Sequence, residues 1–216
     1  YTDSPDDENI EFIKVKSLNI IQRLIPTIDE AFNDNETTGK ILQSIQKSIS
    51  NPATKSISYN CIGRIIENQF HIFNSIAAAI IPIAFEDLSN AMDENLIYSI
   101  CNMLITITIE IDYYEDEQIV EEINKARIKI LESCFSDLFY MLLPITFNVT
   151  SCDLDLFNDS NVGILALMTI SRFIEAIPDF SFSILLEFFE KNFFETKNDQ
   201  IPLEIFCFFI SFIVTN

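Results

Sequence analysis

The chain has 216 residues, 49% of them hydrophobic, with 20 Phe and only 3 Gly. That apolar content excludes an intrinsically disordered chain, and so few glycines argue against glycine-rich phosphate loops and turn-rich β-sandwiches. A formal net charge of −20 opposes nucleic-acid backbones, which are bound through Lys and Arg, and favours encounter with a basic partner.

In chain order, the hydrophobic pattern predicts helices almost throughout. Over 10–25, Ile10, Ile13, Leu18, Ile21, Leu24 and Ile25 stripe one helix face. "KILQSIQKSIS" (40–50) sets Ile41, Leu42, Ile45 and Ile49 at helical spacing, and 55–70 does the same with Ile57, Cys61, Ile62, Ile65, Ile66 and Phe70. Further helices are expected at 74–89, 93–111, 117–147, 159–177, 181–194 and 199–214. "ITITIEI" (105–111) has strand propensity, but its flanks and length match the other segments. The breaks are short and carry helix punctuation: Asn51-Pro52, Asp93, Asp159, Pro178-Asp179 and Asn198-Asp199.

Every second helix opens alike: "NPATKSISYNCIGRI" (51–65), "DENLIYSICNMLITI" (93–107), "DSNVGILALMTISRF" (159–173) and "DQIPLEIFCFFISFI" (199–213). Eleven residues after each opening Asn or Asp stand Ile62, Leu104, Ile170 and Ile210. Starts recur about every 40 residues, with one longer interval holding the acidic stretch 112–122. Two helices per unit at that period point to HEAT-type repeats, whose helix pairs bury their apolar faces by stacking on their neighbours. The expected fold is therefore all-α, an α-solenoid. The expected units are 9–32, the end of a truncated repeat, then 38–70, 73–111, 117–177 with an acidic loop, and 180–216. "IIPI" (80–83) and "LLPI" (142–145) put a helix-bending proline in two of the intervening helices. A nearly all-apolar last helix and an unpaired first one suggest part of a longer superhelix.

The five cysteines, Cys61, Cys101, Cys134, Cys152 and Cys207, are scattered and never in a CxxC pair. That is the usage of reduced core cysteines in a cytosolic or nuclear protein. The longest apolar runs, 96–109 and 201–214, carry Asn102 and Glu204 and are short for a membrane span, so no membrane insertion is expected. His71 is the only histidine, and no phosphate-loop, dinucleotide or nucleophile-elbow motif occurs. The acidic run 110–122 lacks the glycine and ligand order of a calcium loop. No enzyme, metal or cofactor is expected.

Residues 40–88, "KILQSIQKSISNPATKSISYNCIGRIIENQFHIFNSIAAAIIPIAFEDL", resemble a middle repeat of the importin-β (karyopherin-β) nuclear transport receptors and the first helix of the next. "MDENLIYSICNMLITITIE" (92–110) is similar to the following inner helix, and an acidic connection comes next. "YMLLPITFNV" (140–149) resembles the next outer helix, and "CDLDLFNDSNVGILALMTISRFIEAIPDF" (152–180) the acidic loop and inner helix after it. The resemblance covers about four repeats.

It implies a carrier that binds and does not catalyse, working between cytoplasm and nucleus at the nuclear pore. Its implied partners are a basic cargo or an importin-α-like adaptor on the inner face, the GTPase Ran through the acidic loop, and phenylalanine-glycine (FG) nucleoporins between outer helices. Matching positions are Ile41, Ile45, Ile76 and Ile80 for the nucleoporin groove, and Asp153, Asp155 and Asp159 for the acidic loop. Asn102, Met103 and Phe157 match the cargo face. Two plainer alternatives stay open: the four isoleucines pack core, and the aspartates cap a solvated loop. The chain also departs from the family. It has no Trp, so Met103 and Phe157 stand where tryptophans clamp the adaptor, and "DLDLFND" carries only three aspartates. A HEAT scaffold of the phosphatase-subunit or trafficking-adaptor kind is the alternative function.

Overall fold

The computed structural model describes residues 5–27, 34–91, 93–110, 116–147, 161–191, 205 and 207–211, and these are helical with short connections and no strand. The helices are α1 (Pro5–Leu24), followed by a 3-10 turn (Ile25–Thr27), α2 (Asn35–Ile49), α3 (Lys55–Asn68), α4 (Phe70–Asn90), α5 (Glu94–Thr108), α6 (Glu117–Thr146), α7 (Val162–Ala176) and α8 (Pro178–Phe189). Residues 207–211 are also helical. The chain divides into two compact units, Tyr1–Ile80 with Ala91–Ile107, and Ile81–Asn90 with Thr108–Asn216.

Helix starts are fixed by short polar side chains that take up first-turn N–H groups. Asp34 accepts from the Thr37 amide at 3.0 Å, and the Thr37 hydroxyl donates to the same carboxylate. Those two bonds hold the Asp34 carboxyl below its ordinary range. The stability they give is present above that range and is lost as pH falls through the depressed value. Asp93 accepts from Asn95 N at 3.0 Å, and Asp116 from Gln118 N at 2.9 Å. The cap of α7 is Asn161, accepting from Gly163 N at 2.8 Å and Ile164 N at 3.3 Å, two residues beyond the Asp159 that the sequence suggests. Asn51 acts one turn early: its side chain accepts from Ala53 N at 2.9 Å. Thr54 then heads α3, its hydroxyl donating back to the Ser48 carbonyl at 2.7 Å.

In the first unit, α1, its 3-10 turn and α2 all pack on α3. Seven residues of α3 are buried: Ser58, Tyr59, Cys61, Ile62, Gly63, Ile65 and Ile66. The Cys61 thiol donates to the Leu18 carbonyl at 3.5 Å, so α1 lies directly over it. On another side of α3, a Cβ at Gly63 would sit 3.8 Å from both Met103 Cα and Thr106 Oγ1, which puts α5 against α3.

In the second unit the most extensive contact is between α6 and α7, with α8 packed on both. Ten of the fifteen residues of α7 are buried. The core here is aromatic. Phe139 meets Phe135, Tyr140, Phe188 and Phe209 at ring-centroid distances of 6.0, 5.4, 5.2 and 5.5 Å, and Phe135 stacks on Phe173 at 6.1 Å. These offset and edge-on geometries suit ring quadrupoles. Among the described residues, no buried side-chain polar atom lacks a hydrogen-bond partner.

α4 begins four residues before its sequence expectation. The break before it is a single residue, Gln69 (φ −145, ψ 55), because the ring of Phe70 is drawn into the core. The helix thus runs from Phe70 to Asn90, and among the described helices it alone is long and apolar enough to cross a membrane. Its buried residues Phe70, Phe73, Ala77, Ile80, Ala84 and Leu88 recur at helical spacing, while His71, Asn74, Ser75, Glu86 and Ser89 are exposed. The exposed side also carries Ala78, Ala79, Pro82 and Ile83, and 39% of the apolar stretch is buried. Pro82 and Pro144 interrupt α4 and α6 on their exposed sides, where solvent can satisfy the carbonyl each leaves unbonded.

Truncating Phe139 to Ala should cost about 3–5 kcal/mol in chemical denaturation, since it opens a cavity shared by several rings. Gly39 and Gly63 should behave oppositely. A Cβ meets nothing within 4 Å at Gly39 and only ordinary contacts at Gly63, so each Gly→Ala change should raise stability by about 0.5–1 kcal/mol in the same assay.

Candidate binding surfaces

α2 turns Ile45 and Ile49 inward to α3, leaving them 1% and 2% exposed, while Ile41 is half-buried. On α4, Ile80 lies on the buried stripe at 0% exposure and Ile76 beside it is half-buried. Of the four isoleucines proposed for a nucleoporin groove, only Ile41 and Ile76 present surface to a ligand. Met103 is 1% exposed and packs opposite Gly63. Asn102 is half-buried, and its carbonyl accepts from the Thr106 hydroxyl at 2.8 Å. Asp153, Asp155, Phe157 and Asp159 lie outside the described residues. His71 is exposed, and partial burial of its ring favours the neutral form.

The second unit holds a surface groove of about 510 Å³ lined by Glu110, Glu117, Val120, Glu121, Asn124, Lys125 and Ile128. Six of these lie at i, i+3, i+4, i+7, i+8 and i+11 along α6, so helical periodicity alone puts them on one face. Val120 and Ile128 are half-buried, and Glu110, Glu117 and Glu121 are exposed. Lys125 is paired with Glu121 at 2.6 Å. Their bond lowers the Glu121 carboxyl and raises the Lys125 ammonium. The local charge is negative around two aliphatic side chains.

Arg127 anchors this face from behind. Among the described residues it is the one charged side chain that is buried, at 5% exposure. Nη1 donates to the Thr108 carbonyl at 2.7 Å and Nε to Asn124 Oδ1 at 3.2 Å. Burial lowers the guanidinium pKa, and the nearby Glu110 carboxylate opposes that shift. Thr108 ends α5, where a cation complements the exposed carbonyls of the last turn. The effect is to fix Asn124 and the backbone before Glu110, two walls of the groove. Arg127 is not among the residues that the sequence alone nominates. Its signal was there, because Arg127 takes a place on the stripe of Leu131, Cys134, Phe135, Leu138 and Leu142.

Among the described residues, no three His, Cys, Asp or Glu side chains gather to hold a metal ion. Cys61, Cys101 and Cys134 are buried and Cys207 is exposed, all as free thiols. Burial pushes Cys61 and Cys134 up to about 12. Comparison with protein-family models, with curated proteins and with solved structures finds no match to this chain. The surfaces therefore have to be read from their own chemistry, which in the groove is that of exposed carboxylates around two half-buried aliphatic side chains.

Replacing Arg127 by Ala should lower stability by about 1–3 kcal/mol, the usual loss when a charged hydrogen-bond donor is removed from buried partners. It should also speed amide exchange at Ile109 and Glu110. Alkylation near neutral pH with peptide mapping should modify Cys207 well before Cys61 or Cys134, since only the thiolate reacts.

Proposed function

We propose that this chain forms HEAT repeats of an importin-β-type nuclear transport receptor, acting by binding and not by catalysis. On this reading it takes a basic cargo or adaptor, Ran and FG-nucleoporins, and moves between cytoplasm and nucleus. The observation that carries the repeat reading is a recurrence. Ile62, Leu104 and Ile170, each eleven residues past the start of its sequence phrase, are all 0% exposed. The same position of the recurrent phrase is thus buried in α3, α5 and α7, as stacked repeats require, although the fourth, Ile210, is 37% exposed. The negative groove beside α6 suits a basic ligand, because complementary charge speeds encounter and rejects acidic competitors.

The second reading, a HEAT scaffold, draws support from the burial of Ile45, Ile80 and Met103. Those three side chains are occupied with the core, which leaves less surface for the family's usual ligands.

The two separate in a titration with an FG-repeat peptide. The transport reading expects weak saturable binding that is lost in the Ile41→Asp, Ile76→Asp variant, with circular dichroism confirming that this variant is folded. Absence of binding at millimolar peptide would favour the scaffold.

A further inference from the structure

Two exposed helix faces complement one another in both hydrophobicity and charge. On α1, Ile10, Ile13, Ile20 and Leu24 fall at i, i+3, i+10 and i+14, forming one stripe. They are 49, 62, 59 and 46% exposed, with Phe12 beside them at 61%. Lys16 and Arg23 run along one flank and Lys14 lies on the other, all exposed. Lys16 also lies over the Phe12 ring, 5.2 Å from its centroid. Within residues 10–24 the only acid is Glu11. In a chain with 33 acidic and 13 basic side chains, this stretch of α1 carries three bases to one acid, while Asp6, Asp7 and Glu8 are confined to the first turn of the helix.

α8 has the converse face. Asp179, Phe182, Ser183, Leu186, Glu187 and Glu190 fall at i, i+3, i+4, i+7, i+8 and i+11, and all six are exposed. Phe182 and Leu186, at 46% and 44%, stand one turn apart between three carboxylates. Long apolar side chains exposed in a row and rimmed by charge are the mark of an interaction surface.

We propose that α1 of one copy of this chain docks on α8 of another, head to tail. The apolar stripes meet, Lys14, Lys16 and Arg23 face Asp179, Glu187 and Glu190, and the Debye length limits that attraction to close approach. Docked head to tail in this way, each pair of copies keeps one α1 face and one α8 face free, and association continues as concentration rises.

The test is sedimentation equilibrium of the whole chain across concentration. The proposal expects the average mass to climb above the 24.8 kDa of one copy, and to climb less at high salt. An α1-face variant (Ile13→Glu, Ile20→Glu) and an α8-face variant (Phe182→Lys, Leu186→Lys) should each remain at one-copy mass. Mixed in equal amounts they should form a species of two copies and no larger, because each supplies the face that the other lacks. All four positions are exposed, and circular dichroism checks that both variants fold. A wild-type chain that stays at one-copy mass overturns the proposal, as does association that survives both folded variants. A two-fold dimer, closed at two copies for the wild type, also overturns it.

Discussion

A helix that is apolar over most of its circumference has to be covered from more than one side. α3 and α7 are both of that kind, and the remaining elements are arranged around that requirement. α3 is met by α1, α2 and α5, the last of them reaching it beside Gly63. α7 is met by α6 and α8, and the Phe135–Phe173 stack joins α6 to α7. A lone helix pair cannot satisfy such a sequence, because one neighbour covers only one stripe. The polar residues on these helices reveal the same constraint. Ser58, Thr169 and Ser171 are buried, and each hydroxyl bonds to a carbonyl one turn back, so that no donor is left bare in the core.

Charge is handled in the opposite way, by distribution. The described ion pairs Glu36–Lys40, Arg64–Glu67, Glu121–Lys125 and Arg172–Glu175 are all local pairs on exposed helix surface. Pairs of this type contribute little to stability. Arg127 is the exception, and it stabilises a backbone corner where an uncharged side chain of similar reach would make fewer bonds. A net charge of −20 keeps copies apart at long range.

Most of the helices were legible in the sequence because their apolar spacing leaves no other regular structure. "ITITIEI" is the instructive case: the chain stays helical to Thr108 despite a run of β-branched residues, since Ile100, Leu104 and Ile107 are needed on one buried face. Ends were less legible, because a cap is chosen by local geometry among several eligible residues. Asn161, not Asp159, does that work for α7, and Gln69 alone separates α3 from α4. The recurrent phrase held its packing meaning at Ile62, Leu104 and Ile170. It slipped in the last instance, where Ile210 is 37% exposed and Phe209 takes the buried place. A ring that reaches Phe139 outweighs an aliphatic side chain one position on. Binding surfaces were hardest to read. The pattern puts Ile41 and Ile45 on one face, but only packing decides which of them is covered.

The Phe139–Phe209 contact has a consequence for the order of events during synthesis. Phe209 is made 70 residues after Phe139, which at ordinary translation rates is a gap of roughly 4–14 s. Phe135 and Phe139 pair within one helix turn and are ready at once. Phe188 arrives next, and Phe209, the last of the four neighbours, 21 residues after it. Until then the nascent chain carries an incompletely covered aromatic surface on α6, at the stage when chaperones compete with aggregation for such surfaces.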